Sequence, residues 1–225
     1  MHSRRRTLKA LAAAGLLGPA GISGLIRDAL AKGDAPVQPG LHKVRGEVIV
    51  NRRVATEGQL IKPGDTVVTG RNSEAIYVIG QDAFMQRELS TVSFGSEAVQ
   101  NLMRVVSGKL LSVFGKGART IQVSTATIGI RGTGCYIEEE NHGAVARTYF
   151  CLCYGDVELT PSAAPKEAER YSTTHHDKPM YIHNDMKMPK MMVPAAVINH
   201  TDDELTLLEA LVGRRPPSWG SGSRY

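Results

Sequence analysis

Short runs of alternating apolar and polar residues fill the middle of the chain. Between Leu41 and about Leu159, the sequence is rich in Val, Ile, Thr and Gly. The clearest apolar series are Val44, Val48, Val50; Ala75, Tyr77, Ile79; and Ile121, Val123, Thr125. Because successive side chains of a strand point to opposite faces, these series predict short, half-buried β-strands.

Turn signals separate these runs at regular intervals. They are Asn51-Arg52, Pro63-Gly64-Asp65, Gly70-Arg71-Asn72, Gly80-Gln81-Asp82, Ser107-Gly108 and Gly115-Lys116-Gly117. Short strands at this spacing are typical of all-β architectures. We therefore expect a mostly β protein, an antiparallel β-sandwich or roll, with a solenoid-like arrangement as the alternative.

The segment Glu138–Gly143 has the character of a hairpin turn. It predicts a pairing of Cys135–Glu140 with Val145–Tyr154. After this hairpin, residues 161–170 form a polar stretch, and 171–196 show little periodicity. This part of the chain is predicted to be irregular.

One helix is predicted near the end of the chain. Thr201-Asp202-Asp203-Glu204 is a capping box, in which Thr201 and Glu204 satisfy each other's backbone N–H groups. The apolar residues Leu205, Leu208, Leu211 and Val212 follow at helical spacing. Gly213 and Pro216-Pro217 then end the helix, and its leucine stripe is expected to pack on the sheet.

The amino-terminal segment reads as an export signal. Ser3-Arg4-Arg5-Arg6-Thr7-Leu8-Lys9 precedes a weakly apolar stretch, 10–26, and Ala29-Leu30-Ala31 has the small-x-small form of a cleavage site. The segment resembles the twin-arginine export signal, with Thr7 where that family usually has an aromatic residue. A retained membrane anchor is the alternative, although the apolar stretch is shorter than the roughly 20 residues that a bilayer needs. We expect export to the periplasm, and no transmembrane span after cleavage.

The basic pI of about 9.2 derives mostly from this segment. Residues 1–31 hold five of the 27 basic side chains and one of the 22 acidic ones, which leaves 22 basic and 21 acidic side chains from Lys32 onward. The exported chain would be almost neutral, so its charge gives no argument for nucleic-acid binding.

These patterns divide the chain into five segments. We expect a signal peptide at 1–31, a linker at 32–43, a β domain at 44–160, an irregular extension ending in a helix at 161–213, and a disordered tail at 214–225.

Several motifs of the β domain resemble the FecR domain, an extracytoplasmic module of bacterial iron-signalling regulators. They are Gly46–Asn51, Gly64-Asp65-Thr66-Val67-Val68-Thr69-Gly70, Asn72–Ala75, Val106–Leu110 and Thr125–Thr133 with its Gly129-Ile130-Arg131-Gly132-Thr133 core. The resemblance covers residues 46–137 and implies a β fold that binds a protein partner in the envelope. Signalling members carry a cytoplasmic sigma-factor-binding segment before this domain. Here the preceding residues read as an export signal, so classical anti-sigma signalling is not expected.

Three cysteines fall in the predicted hairpin: Cys135, Cys151 and Cys153. Cys151 and Cys153 are two positions apart on one strand, so their side chains share a face. The predicted register places Cys135 nearby, opposite Phe150. In an oxidising compartment, a disulfide between Cys135 and either Cys151 or Cys153 is one interpretation, and it leaves one thiol unpaired.

A metal site is the other interpretation of these cysteines. His175 and His176 follow the hairpin, with His183 and His200 further on. Thiolate and imidazole ligands suit zinc, copper(I) or iron, so the predicted ligands are Cys135, Cys151, Cys153, His175 and His176. Five methionines, Met180, Met186, Met188, Met191 and Met192, are soft ligands that suit copper(I), or flexible core residues.

No catalytic constellation is recognisable. The chain lacks a Gly-x-Ser-x-Gly elbow and a phosphate-binding loop. We therefore expect a non-enzymatic binding or sensing module with a protein partner. The alternatives are a copper or iron chaperone or storage protein, and a structural envelope protein held by a disulfide.

Overall fold

The computed structural model describes residues 35–142 and 145–217, so the predicted signal peptide lies outside the described residues. Its strands are β1 Gly40–Arg45, β2 Val48–Val50, β3 Arg53–Val54, β4 Thr66–Thr69, β5 Glu74–Ile79, β6 Asp82–Gln86, β7 Thr91–Phe94, β8 Leu102–Val113, β9 Ala118–Gln122, β10 Ala126–His142, β11 Val145–Pro161, β12 Glu169–Thr173, β13 Met180–His183 and β14 Met192–Pro194. A helix, α1, spans Asp202–Leu211. Two 3-10 turns lie at Glu97–Val99 and Pro165–Glu167.

The fourteen strands of the described residues belong to one open sheet. The prediction of a mostly β fold is therefore confirmed. The main path runs β14-β13-β11-β10-β9-β8-β7-β4-β2-β3, while β6 joins β8 and continues through β5 to β1. The pairs are antiparallel except β8 with β9, which is parallel. The long β10–β11 hairpin pairs from Ala126↔Pro161 to His142↔Val145 and forms the spine of the sheet.

The sheet curls around one apolar core, which we call the inner core. Residues from both ends of the strand path share it, including Val50 of β2, Val105 of β8 and Ile182 of β13. Strand β5 shows how the two faces divide. Tyr77 lies in the inner core, whereas Ile76 and Val78 point to the opposite face, where they are equally buried.

The opposite face is covered by α1, and the residues between them form an outer core. The capping box is present as predicted, with Thr201 and Glu204 each bonded to the other's backbone. The predicted leucine stripe packs on sheet residues such as Val78, Leu111 and Val113. Arg87, the residue after β6, reinforces the contact by an ion pair with Glu204 at 2.8 Å. Within the described ranges, no helix is both long enough and apolar enough to cross a membrane.

One predicted turn is a bulge inside a strand. Ser107-Gly108 lies within β8, where Thr91 pairs with Ser107 and Val92 with Val105, so the register slips between them. Gly108 has φ +80°, and a Cβ there would lie 2.5 Å from the Cα of Ser90. Glycine is needed because the neighbouring backbone approaches this closely.

The structure differs from the predicted segments in three places. β1 begins at Gly40, inside the predicted linker, and Arg214 of the predicted tail bonds Glu209 at 2.6 Å. The extension, predicted to be irregular, contributes β12, β13 and β14. These strands have three to five residues, too few for an alternating pattern to stand out. β12 and β13 pair with the outer edge of β11, and β14 pairs with β13, because each edge offers backbone groups for pairing.

The docking of α1 can be tested by truncating one of its fully buried leucines. Leu208 has no exposed surface, so Leu208→Ala should destabilise the fold by about 2–5 kcal/mol in urea unfolding. Val54→Ala is the control, since Val54 is 76% exposed and its truncation should change stability by less than about 0.5 kcal/mol. Equal effects of the two substitutions would show that α1 does not pack as described.

Candidate metal centre

Strand β11 delivers two of the site's cysteines to the outer core. Pairing of Tyr136 with Cys151 and of Cys135 with Leu152 sets the register. Cys151 and Cys153 therefore share the outer face with Tyr136, while Cys135 faces the inner core beside Ile137. The prediction that Cys151 and Cys153 share a face is confirmed.

The predicted gathering of all three sulfurs is wrong. β10 and β11 pair right up to His142 and Val145, so Cys135 lies opposite Leu152 instead of Phe150. In either register Cys135 is on the face that carries Phe150 and Leu152, because those two residues are two positions apart. The sheet separates Cys135 from the other thiols, all three cysteines are free, and the predicted disulfide to Cys135 is not formed.

A tight turn after β12 brings His176 against the thiol of Cys151. The carboxylate of Asp177 accepts backbone N–H groups from Thr174 at 2.7 Å and His175 at 3.2 Å. His176 adopts φ +52°, and its N–H donates to the carbonyl of Cys153 at 2.9 Å. The turn thereby fixes the buried His176 ring next to Cys151, with Nδ1 3.4 Å from Sγ.

The residue just before the capping box supplies the fourth side chain. His200 is buried and stacks on the Tyr136 ring, with 4.6 Å between centroids. Its Nδ1 donates to the carbonyl of Ile198 at 2.7 Å. Its other ring nitrogen, Nε2, lies 3.0 Å from Nδ1 of His176.

The four donors converge on one point. The Sγ atoms of Cys151 and Cys153 and one ring nitrogen each of His176 and His200 all lie within 4.8 Å of one another. For a tetrahedral zinc with bonds of 2.0–2.3 Å, the ligand–ligand edges would be about 3.3–3.8 Å. The donor set therefore matches the size of a single ion.

The remaining ring nitrogens are held from outside this set. Nε2 of His176 donates to Asp202 at 3.0 Å, and Nδ1 of His200 donates to Ile198. Both rings consequently direct their other nitrogen, Nδ1 of His176 and Nε2 of His200, toward the thiols and toward each other. This is the arrangement of metal-bound histidines, whose second nitrogen is fixed by a carboxylate or a carbonyl.

The electrostatics single out Cys151 as the thiolate. The hydrogen bond with Cys153 contributes most to lowering the pKa of Cys151 below its ordinary 9.0. Bonds with His176 and His200 lower it further, against the opposing effect of burial. Burial and the neighbouring Cys151 raise the pKa of Cys153. Burial alone would lower the pKa of His176, but its interactions with Cys151 and Asp202 outweigh burial and raise it.

Cys151, His176 and Asp202 also have the order of a nucleophile, a base and an orienting carboxylate. A nucleophile has to reach its substrate, and here both Cys151 and the side chain of His176 have no exposed surface. A closed set of four donors suits a bound ion better than it suits catalysis.

The other predicted ligands lie apart from the four donors. His175 is next to the site, and its Nε2 bonds Asp202 at 2.9 Å, so it belongs to a second group of His175, His176 and Asp202. His183 lies on β13. Met180 faces the inner core, and Met186 is 71% exposed.

Sequence reasoning missed two residues as parts of the site. His200 is among the histidines that favour a metal site but not among the five predicted ligands, and Asp202 is assigned only to the first turn of the helix. The signal in the sequence was the position of His200 directly before a capping box. A residue at that position lies at the start of the helix, so it reaches the sheet when the helix packs there.

A comparison with known proteins found a partial similarity to solved structures. No protein-family model and no curated protein matches the chain. Two crystal structures of a candidate anti-sigma factor from Parabacteroides distasonis ATCC 8503, at 1.65 and 2.50 Å resolution, are similar to part of it. Each has a TM-score of 0.45 and 8% identity, and the match spans 58% of this chain and 58% of that one. A likeness of this size assigns neither a family nor an activity.

In metal-free protein, we expect Cys151 to be a thiolate at neutral pH. Because its folded pKa lies below its unfolded 9.0, the thiolate stabilises the fold fully above that pH, and this contribution is lost as the pH falls through the folded pKa. A titration of the ultraviolet absorbance of the thiolate, from neutral to acidic pH, measures the pKa of Cys151 directly.

The control for this titration is the cysteine of the other face. Burial raises the pKa of Cys135 to about 12, so Cys135→Ser should leave the absorbance unchanged, whereas Cys151→Ser should abolish it. A wild-type protein with no thiolate at neutral pH would contradict the assignment.

Proposed function

We propose that this chain is an exported, non-enzymatic binding or sensing module that holds one transition-metal ion at Cys151, Cys153, His176 and His200. The observation that carries the proposal is the convergence of four buried donors whose other hydrogen-bonding groups are occupied. The FecR-like motifs support a role that works through a protein partner in the envelope.

Among the three candidate metals, the site favours Zn²⁺. Two thiolates and two neutral imidazoles around Zn²⁺ give a complex of zero net charge, while copper(I) would leave one uncompensated negative charge. All four side chains are buried, and a net charge is costly away from water. A tetrahedral S₂N₂ donor set with no open position is typical of zinc in a structural site.

The copper-handling alternative loses its main support. Its soft thioether ligands would have to join the thiols. Met180 lies in the inner core and Met192 packs against it, on the other side of the sheet from Cys151, and the side chain of Met186 is 71% exposed. A copper chaperone also needs an accessible site for transfer, and these donors are covered by the extension.

Metal content tests the proposal. Protein purified without chelator should contain about one zinc per chain. Cys151→Ser, Cys153→Ser and His200→Ala should each lower the zinc affinity by at least about tenfold, because each leaves three ligands. Metal analysis and competition with a chromogenic chelator give these values.

Cys135→Ser is the matched control, as it removes a buried thiol on the face that carries no site. It should keep one zinc, and His175→Ala should also keep one. Equal zinc content in Cys135→Ser and Cys151→Ser would refute the proposed ligand set.

Export is tested separately. Replacing Arg4, Arg5 and Arg6 by Lys should keep the protein out of the periplasm, because a twin-arginine-type signal depends on its arginines. The exported wild type should begin at Lys32 by amino-terminal sequencing. An uncleaved protein found in the membrane fraction would favour the anchor instead.

A further inference from the structure

The four donors come from three separate segments of the chain. Cys151 and Cys153 lie on β11 in the interior of the sheet, His176 lies in the turn after β12, and His200 lies directly before α1. An ion bound by all four would join these segments at one point. The sheet would then hold two pieces of the extension, 174–177 and 198–212, which we call the clamp.

Asp202 connects the site to the helix itself. It is the first residue of α1. Its carboxylate accepts a hydrogen bond from Nε2 of His176 at 3.0 Å and one from Nε2 of His175 at 2.9 Å. A carboxylate that fixes the second nitrogen of a ligating histidine typically changes metal affinity by about 10–100-fold. The start of α1 therefore has to be in place for His176 to present Nδ1 correctly.

The clamp covers a large apolar surface. Under α1 lie Val78 of β5, Met85 of β6, and Leu111 and Val113 of β8, all fully or almost fully buried. Release of α1 would uncover these neighbouring side chains.

Contacts away from the site also hold α1. At its far end, Tyr154 and Arg214 bond Glu209, and the N–H of Val37 donates to the carbonyl of Leu211. At its beginning, Arg87 donates to Glu204 and to the carbonyl of Asn199, and Asp202 bonds His175 and His176. An ion therefore adds to the contacts at the beginning of α1, where the site lies.

We propose that metal occupancy controls the closure of the clamp, with Asp202 as the positioning residue that links the ion to α1. This inference rests on the proposed function, since it assigns a consequence to the same site. Ion binding stabilises the closed arrangement by the factor 1 + [Zn²⁺]/Kd, where the open arrangement has lost the assembled site. The metal-free protein then exposes the apolar sheet face more often.

Hydrogen exchange on the full wild-type protein tests the closure without any substitution. At free zinc about 100 times Kd, the amides of 174–177 and 198–212 should exchange up to about a hundredfold more slowly than after chelation. Amides of β2 and β4, which belong to the distant end of the strand path, should not change. Equal exchange of the clamp with and without zinc, in a protein shown to bind zinc, would overturn the inference.

Two alanine substitutions in the first turn of α1 test the role of Asp202. Asp202→Ala and Asp203→Ala remove the same charge from the same helix end, so their effects on the helix dipole are alike. Asp202→Ala should weaken zinc binding by about 10–100-fold and reduce the protection of 198–212 at a fixed zinc concentration. Asp203→Ala should leave zinc affinity within about twofold of the wild type.

The outcomes separate this inference from the function on which it rests. A protein without a zinc site loses both. A protein that binds zinc at the four donors, but whose clamp exchanges independently of zinc or whose two alanine variants bind zinc equally, keeps the metal site and loses the linkage. A circular-dichroism spectrum unchanged in each variant confirms that the comparison is made between folded proteins.

Discussion

The register of the β10–β11 hairpin from Cys135 to His142 is the constraint on which the rest of the structure depends. In its buried part, Cys135, Ile137, Phe150 and Leu152 enter the inner core, while Tyr136, Tyr149 and Cys151 enter the outer core. Pairing of Tyr136 with Cys151 assigns the thiols of β11 to the outer side, and pairing of Cys135 with Leu152 assigns the remaining thiol to the inner side. A slip of one residue would exchange the two sets and dismantle the site. The apolar residues of the inner core hold the register, because the same slip would drive them to the outer face.

The two cores bury polar groups in different ways. In the inner core, Gln86 accepts from Tyr77 at 3.0 Å and donates to the carbonyls of Val67 and Ser90, so the network is closed by protein atoms alone. In the outer core, His176 and His200 each donate outward and place their other ring nitrogens 3.0 Å apart beside the thiols. Two ring nitrogens at that distance need a proton or a metal ion between them. The first arrangement is complete without an ion, and the second is completed by a shared proton or by a metal ion.

The sequence predicted the elements whose signals are local. The capping box of Thr201 and Glu204, the leucine stripe and the common face of Cys151 and Cys153 depend on neighbours a few residues away, and all three are present. The bulge at Gly108 depends on Ser90, a residue of another strand. The strands β12 to β14 depend on an edge that only the folded sheet offers. His200 and Asp202 reach the site only because α1 docks, and such long-range placement has no pattern along the chain.

The placement of the thiols also bears on where a metal would be acquired. Cys135 sits in the inner core beside Ser112 and behaves as a small core residue, whereas Cys151 and Cys153 lie under the extension. Two free thiols on one face are vulnerable to oxidation in an export compartment, more so as the pKa of Cys151 is lowered. The amino-terminal segment resembles a signal for export of folded proteins. If the chain crosses the membrane folded, zinc can bind while the thiols are still reduced, and α1 then closes over both sulfurs before they meet an oxidant. Metal binding, helix docking and export in the folded state would in that case be three requirements of the same buried site.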